Sequence, residues 1–533
     1  MPQKLAAPPL RIVPLLIAGG FALRVWVAFG AGIIEHDGAY YAGLAAALLR
    51  GDVAHGWSTV WPPLYPVLIA MAAWPFQVAH IMSPERLEFA ARLVSVVAGT
   101  VTLGLLHGWT RRMAGERAAL VTLAVAAFHP RLVQYSASAL TEMTFIALLL
   151  VGLTLIAAGD EQPDGERPAA GRDVAAGVAF GLACLARPEG VVLAAAVAVA
   201  MVARGLRMAR RQLRLAFVLG VFVAVLPWVA FMNTQLGHFS LSEKGGYNFW
   251  REFKPEYRAR FGDPPGLSER VFESPELAAS IPPAPVDVSG FVRAEPALVI
   301  TRSLARLARI VTQSIPQACY PVWFAFALLG TPLLVGRSLW PAAAIIVALP
   351  LLYAPFSADR RFFVPAVPLL LALVPAGIER VAAWMAPPER RAMLGGVLAG
   401  ALALAGLIYT VVHPLMDEAP EHRAAGIWLR GAWPNLTHDG SSLRPVVMSR
   451  KTWVAFYAGG IIAELPEGGI DSVLARARRK RADVLVVDER WAASNRPELA
   501  FLLDPARAPL PLRVLRVIET PRRLVLYDVR GVR

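Results

Sequence analysis

The sequence predicts a mostly α protein: a polytopic membrane helical bundle of about eleven spans with a small C-terminal soluble α/β domain. Three observations lead there. Only 17% of the 533 residues are charged, against about 25% in soluble domains, and the mean hydropathy is +0.50. Apolar runs of about 20 residues, the length that crosses a bilayer, recur through the first 413 positions. Beyond them the apolar runs shorten to strand length and charge returns. The expected division is a transmembrane domain, 1–413, followed by an extracytoplasmic α/β domain, 414–533.

The net charge of +14 sits largely in short clusters between apolar runs, such as RGLRMARRQLR (204–214) with its five arginines. In a membrane protein such clusters mark cytoplasmic loops, so nucleic acid is not an expected partner. The first apolar run, 12–34, is too long for a signal-peptide core and lacks a small-residue cleavage site, so it reads as an uncleaved helix. Spans are expected at 11–31, 88–110, 117–135, 139–158, 213–232, 317–336, 339–357, 362–383 and 392–413. Arg111, Arg112 and Arg117 put the loop after the second span in the cytoplasm. The apolar segment 61–82 is therefore expected as a re-entrant or interfacial helix. The polar loops 159–173 and 204–214 both face the cytoplasm, so 174–203 must cross twice, as short helices hinged at ARPEG (186–190). Pro188 interrupts the helix there and Gly190 permits a turn. The N-terminus is then cytoplasmic, and the external loops are 32–87 and 233–297.

In the tail, RPVVMSR (444–450), ADVLVVDER (482–490), LRVLRVIE and RRLVLYDV (within 512–529) read as strands, and DSVLARARRK (471–480) as a helix. No Gly-rich phosphate loop or metal-ligand spacing occurs there. Asn435-Leu-Thr437 fits a glycosylation sequon, a common triplet. Cys184 and Cys319 lie in or beside apolar segments and suggest neither a disulfide framework nor a metal site.

With this topology the unusual polar residues gather at external ends of spans. Asp37 follows span one, in EHDGAYYAGLAAALLRGDV (35–53). Glu142 begins the fourth span, in SALTEMTF. Arg187 and Glu189 flank the hinge, and Arg360 and Arg361 precede the tenth span, in SADRRFF. Charges at membrane depth cost several kcal/mol unless paired or wetted, so their convergence suggests a polar cavity. Each also has a bland reading. Asp37 could only cap the amphipathic helix 38–50. Tyr40 and Tyr41 share a stripe with Leu44 and Leu48 and read first as interface anchors, with cavity contact as the alternative. Glu142 could cap its helix or pair with an arginine, Arg187 could snorkel to a headgroup, and Arg360–Arg361 could anchor at the interface. His36 could be a ligand or base, although a lone loop histidine is usually neither.

Transfer of a sugar from a lipid phosphate needs these residue types. A base must deprotonate or hold the acceptor, and cations must stabilise the departing phosphate. Asp37 suits the first role. Arg187, Arg360 and Arg361 suit the second, because a guanidinium stays charged and donates bidentately. Glu142 could hold the acceptor, or share a divalent cation with Asp37, though two carboxylates alone are a weak metal signature. No other cofactor is indicated. KGGYNFWREF (244–253) could contact the acceptor or form an ordered cover.

The ordered set HDGAYYAGLAAALLRGD, WPPLYPVLIA, ERLEFAARLVSVVAGTVTLGLLHGWTRRMAGERAAL, SALTEMTFIALLL, GLACLARPEG and RRFFVPAVPLLLAL resembles the GT-C superfamily of integral-membrane glycosyltransferases. The likeness is strongest to bacterial relatives of protein O-mannosyltransferases and of lipid A aminoarabinose transferase. It covers most of residues 12–383. It implies a polyprenyl-phosphate sugar donor, catalysis on the extracytoplasmic side, and a catalytic acid in the first external loop. The leading expectation is inverting transfer to a lipid, glycan or protein acceptor, and the alanine- and arginine-rich composition fits a bacterial inner membrane. Asp37 matches that acid, Glu142 falls where relatives carry a second one, and the arginines before the late span resemble donor-phosphate contacts. The family often has Asp-Glu at the first site, whereas Gly38 follows Asp37 here, which counts against a paired-carboxylate role. Two alternatives are a lipid-linked-glycan transporter or flippase, and a glycan polymerase or ligase. A transporter would show midplane charges and repeated halves, neither of which the sequence carries.

Overall fold

A computed structural model describes residues 12–160, 170–208, 213–283, 285–332, 339–414, 419–436 and 444–532. The arginine cluster at 204–214, the loop 159–173 and the sequon at Thr437 fall partly outside them. The chain divides into two compact units. The first comprises Met1–Gly30, Leu93–Phe261 and Asp287–Leu415, and the second Ala31–Arg92, Gly262–Val286 and Met416–Arg533.

The first unit is a bundle of apolar helices, and the expected multi-pass, mostly α class with a C-terminal sheet is what the chain adopts. Among the described residues, five helices are long and apolar enough to cross a membrane: Ile12–Gly30, Pro84–Ala114, Glu142–Gly159, Leu215–Leu236 and Pro388–Val412. A bent pair, Arg360–Leu371 with Val374–Met385, makes a sixth candidate, with 57° between its halves. The rest of the expected eleven are shorter or interrupted, and prolines explain the interruptions. The run 117–135 breaks into Glu116–Phe128 and Pro130–Ala137, because Pro130 has no N–H to continue the ladder. The run from 317 breaks at Tyr320, at φ 58°, between Ile315–Cys319 and Pro321–Leu329. The run from 362 opens as a 3-10 turn, Arg360–Ala366, which contains Pro365.

The expected hinge is present: helices Ala170–Ala186 and Gly190–Met208 flank it. Gly190 is required, since a Cβ there would lie 2.8 Å from the backbone nitrogen of Cys184. The helix Ala170–Ala186 packs on Leu213–Leu236 through a small-xxx-small pair, Gly177 and Gly181. A Cβ on Gly177 would fall 2.0 Å from the Phe217 carbonyl oxygen. In a bilayer, where burial of apolar surface gives no drive, such backbone contact is what holds helices together.

The second unit is built on a five-stranded sheet in the order β2-β1-β3-β5-β4. The strands are β1 (Val446–Ser449), β2 (Ile461–Glu464), β3 (Val484–Asp488), β4 (Arg513–Ile518) and β5 (Leu524–Asp528). β1 runs parallel to β2 and β3, while β5 is antiparallel to β3 and β4. β3 is central and buried along its whole length, as its unbroken apolar run requires. β4 is an edge strand, and its Arg513 and Arg516 discourage further pairing. The expected helix at 471–480 is Ile470–Lys480. The strand β2 was not expected from the sequence.

The same unit contains the helices His36–Leu49 and Leu64–Val78. The latter has 15 residues, about 22 Å, too short to cross a bilayer. The former is fastened by a polar network. Arg92 donates to the Ile33 carbonyl at 2.7 Å and pairs with Glu88 at 3.0 Å. The Tyr457 hydroxyl donates to Glu88 at 2.8 Å and accepts from the Ile34 N–H at 2.9 Å.

Candidate active site

In the first unit, two of the arginines singled out from sequence, Arg187 and Arg361, meet on the carboxylate of Glu142, and Glu189 joins them through Arg187. Glu142 stands in the first turn of the helix Glu142–Asp160 and its side chain is fully buried. Its Oε1 takes Arg187 Nη1 at 2.8 Å and Arg361 Nε at 2.5 Å. The ARPEG hinge explains the first contact: by ending one helix at Ala186, it turns Arg187 inward to Glu142. Arg187 also donates through Nε to Glu189, whose Oε1 accepts from the Tyr353 hydroxyl at 2.7 Å. The second contact comes from a capped turn, in which Asp359 accepts from the Arg361 N–H at 2.9 Å. A π-helical segment, Ile310–Ser314, supports that turn, with Ser314 Oγ donating to the Ala358 carbonyl at 2.6 Å.

The arrangement is chemically lopsided. Among the described residues, Glu142 Oε2 is buried and takes part in no hydrogen bond. An orphaned carboxylate oxygen is costly and calls for a donor from elsewhere. Arg361 retains 30% side-chain exposure beside the exposed Arg360, whereas Arg187 retains 8%. Arg187 is therefore committed to structure, and the snorkelling reading does not describe it. The positive charge facing Glu142 comes from arginine. Among the described residues, no group of three or more His, Cys, Asp or Glu side chains is arranged to hold a metal ion.

In the second unit, Asp37 is half-buried in the first turn of His36–Leu49. The N-cap is Glu35, which makes no side-chain capping bond, so the reading of Asp37 as the cap is corrected. The interface-anchor reading of the tyrosines is also corrected, because both are buried. The Tyr40 hydroxyl donates to the Phe272 carbonyl at 2.5 Å, and its ring stacks on Trp61 at 4.9 Å. Tyr41 meets Trp61 and Tyr65 edge-on. His36 Nδ1 lies 3.2 Å from Thr452 Oγ1. These three side chains hold the helix that carries Asp37. Tyr247, Phe249 and Trp250 of KGGYNFWREF are buried in the first unit.

Several participants were not anticipated. Tyr353 joins the Glu189 pair. Tyr135 lies within electrostatic reach of Glu142, Arg361, Arg131 and Asp359. Arg24, buried in the first span, donates to the carbonyls of Gly20 (2.9 Å) and Ala127 (2.8 Å) and to Ser136 Oγ (3.0 Å). It thereby caps the helix that stops at Phe128, a favourable place for a cation. A lone arginine inside an apolar run was the signal that could have found it.

Residues 62–231, about a third of the chain, match the family model described as dolichyl-phosphate-mannose-protein mannosyltransferase. The structure is similar to the archaeal oligosaccharyltransferase AglB from Archaeoglobus fulgidus in complex with an inhibitory peptide and a dolichol-phosphate. The TM-score is 0.61 at 13% identity, over 90% of this chain and 69% of that one. The chain has the GT-C fold. A second structure of the Archaeoglobus fulgidus oligosaccharyltransferase, tethered to an acceptor peptide containing the NVT sequon, gives a TM-score of 0.59 at 12% identity, over 92% and 71%. ArnT from Cupriavidus metallidurans bound to undecaprenyl phosphate spans 96% of this chain and 97% of its own, at 16% identity, but its TM-score of 0.47 carries no weight. No curated protein sequence matches. The superfamily resemblance drawn from the sequence is borne out by the family match and the fold.

Proposed function

We propose that this GT-C chain is an inverting glycosyltransferase of the bacterial inner membrane, acting at its extracytoplasmic face on a polyprenyl-phosphate-linked sugar. The observation that carries the reading is Glu142, a buried carboxylate between two arginines, with one oxygen uncommitted and one of those arginines still open to solvent. That AglB binds a dolichol-phosphate and a peptide on this fold supports it.

In the reaction, the acceptor's proton goes to Asp37 as its oxygen or nitrogen bonds to the anomeric carbon. The bond from that carbon to the phosphate oxygen breaks, and the electron pair leaves with the polyprenyl phosphate. Arg360 and Arg361 stabilise the charge that develops there. Glu142 Oε2 accepts a hydrogen bond from the acceptor, while Arg187, Glu189 and Tyr353 fix the carboxylate. His36, Tyr40 and Tyr41 position Asp37.

The test is sugar transfer from labelled polyprenyl-phosphate donors in membranes, comparing wild type with Asp37→Asn. The change removes charge but keeps size. Normal expression with transfer reduced by about 100-fold or more supports Asp37 as the base. Undiminished transfer removes it from the mechanism, and no transfer by wild type from any donor sinks the transferase reading.

A further inference from the structure

The helix Pro420–Leu436 of the second unit opens on a buried ion cluster that the proposed chemistry leaves unused. His422 is 1% exposed, and each of its ring nitrogens faces a carboxylate. Nδ1 lies 3.4 Å from Glu421 Oε1, and Nε2 lies 3.5 Å from Oδ2 of Asp488, the last residue of β3. Both Glu421 oxygens are buried and take part in no hydrogen bond among the described residues, so charge is what ties Glu421 to the ring. A neutral imidazole carries one N–H and would turn a lone pair towards one of the two acids. Only the imidazolium presents N–H and positive charge to both. Burial alone would lower the pKa of His422, but Asp488 and Glu421 outweigh it and raise it above the ordinary 6.5.

The cluster reaches the helix that carries Asp37. The His422 ring meets Trp453 edge-on at 5.1 Å. Trp453 follows Thr452, whose N–H donates to His36 Nδ1 at 3.5 Å and whose hydroxyl donates to the His36 carbonyl at 3.4 Å. His36 adjoins Asp37 at the start of His36–Leu49. Asp488 holds the same loop from its other side. Its Oδ1 accepts from the Trp491 N–H at 2.9 Å, and Lys451 and Arg450 lie over the Trp491 ring at 4.9 and 5.5 Å. The remaining charges here are Arg490, which acts on Glu421, Glu489, which accepts from the Arg523 N–H, and Arg423, which donates to the Gly32 carbonyl. Loss of the His422 proton leaves two buried carboxylates without their shared cation, a costly state that movement of the loop 450–453 relieves.

We propose that His422, as an imidazolium, is a positioning residue for sugar transfer: it holds the loop 450–453 and, through Thr452 and His36, fixes where Asp37 stands. The step rests on the reading of Asp37 as the base. The folded state binds this proton more tightly than the unfolded one, so the hold is complete below pH ~6.5 and is lost as the pH rises through the higher folded value. A base that must be deprotonated and a positioning group that must be protonated confine transfer to the pH interval between them.

The experiment measures kcat and donor KM per folded protein, for the full chain in nanodiscs, from about pH 6 to about pH 9. Wild-type kcat is expected to fall as the pH rises, with donor KM changed less than about twofold. His422→Gln starts about tenfold lower and shows no such fall. Glu421→Gln keeps the fall but moves it about one pH unit lower, because the imidazolium has lost an acid that favoured it. A purely structural role would lower kcat in both variants and leave the profile where it was. Persistence of the fall in His422→Gln, a Glu421→Gln profile at the wild-type position, or a wild type with no fall overturns the proposal. Glu464→Gln, a carboxyl outside this cluster, keeps the wild-type profile, and loss of the fall there also overturns it. Hydrogen-exchange protection of residues 39–41, corrected for the intrinsic rate at each pH, separates the two readings. It begins with the Ala39 N–H, which donates to the Glu35 carbonyl at 3.0 Å. Protection should weaken with rising pH in wild type and hold in His422→Gln. That pattern, with no transfer by wild type or with undiminished transfer in Asp37→Asn, keeps the link from His422 and sinks the base. Transfer lost in Asp37→Asn, with protection that ignores pH, does the reverse.

Discussion

Each unit contains a knot of arginines or lysines with glutamates, and the two are built differently. In the first, Glu142 receives two guanidiniums on one oxygen and leaves the other without a hydrogen bond. In the second, Glu269, Glu273 and Glu464 face Arg476, Arg479 and Lys480. Lys480 lies 2.6 Å from Glu273 and 3.0 Å from Glu269, while Arg476 lies 2.9 Å from Glu269 and 3.9 Å from Glu464. Three acids against three bases, shared among the helices Leu267–Phe272 and Ile470–Lys480 and strand β2, make a brace. Ion pairs of this kind contribute little net stability unless buried, and their removal one partner at a time is what costs. The lesson is that burial and charge alone do not separate a site from a brace. Nor does an uncommitted atom beside a solvent-open cation, since among the described residues Glu273 Oε1 and Arg476 Nη1 also take part in no hydrogen bond near the exposed Arg479. What differs is charge balance: two guanidiniums converge on one carboxylate oxygen in the first knot, and three acids face three bases in the second.

The largest expected effect is at Glu142. Glu142→Ala leaves the Arg187 and Arg361 guanidiniums without their shared partner, which costs on the order of 3–5 kcal/mol where the remaining charge is buried. Glu142→Gln keeps the shape, and should fold while losing transfer by about 100-fold, measured in the same membrane assay alongside thermal unfolding. If Glu142→Gln transfers at the wild-type rate, the first knot is also a brace and the contrast collapses.

A smaller pair of effects divides the two arginines. Arg187→Lys cannot serve Glu142 and Glu189 at once, because an ammonium lacks the fork. It is expected to lose about 2 kcal/mol of stability together with kcat. Arg361→Lys keeps a half-exposed charge, so the fold should survive while KM for the donor rises about tenfold. Steady-state kinetics on both variants check this. An unchanged donor KM in Arg361→Lys would remove it from phosphate binding.

These residues could be named from sequence because charge inside an apolar run stands out wherever its partner lies. The ARPEG hinge was legible for a similar reason, since proline and glycine act through their own backbone chemistry. What stayed hidden depended on distant partners. Tyr353 looks like any tyrosine at a helix end until Glu189, 164 positions earlier, accepts its hydroxyl. Tyr40 and Tyr41 sit at helical spacing on a stripe that suits a lipid interface, and only Phe272 and Trp61 turn that stripe inward. The strand β2 has four residues, Ile461–Glu464, too few for a period to show, and it exists because β1 pairs with it. The prolines at 130, 321 and 365 were readable as breaks, yet hydropathy over a whole window outweighed them.

The smallest expected effect on transfer is in the brace, which is tested by titration. Burial pushes the Glu464 carboxyl up to about 7, with Glu273 and Glu269 adding to the rise and Ser268 and Arg476 opposing it. Its ordinary value is 4.5, so the folded state binds the proton more tightly than the unfolded one. The stabilisation is full below pH ~4.5 and is lost as the pH climbs through ~7. Each tenfold gain in proton affinity is worth about 1.4 kcal/mol, so the whole titration moves stability by about 3.5 kcal/mol. Glu464→Gln removes the ionisation, so its stability should fall less between pH 5 and pH 8 than that of wild type. Hydrogen-exchange protection of Ile461–Glu464 in the full chain, corrected for the intrinsic exchange rate at each pH, reads the difference. Equal falls in both proteins would move the titration to Glu273, whose burial also raises its carboxyl. In either case sugar transfer, normalised to folded protein, should be unaffected by Glu464→Gln, because a brace can be retuned without touching the site.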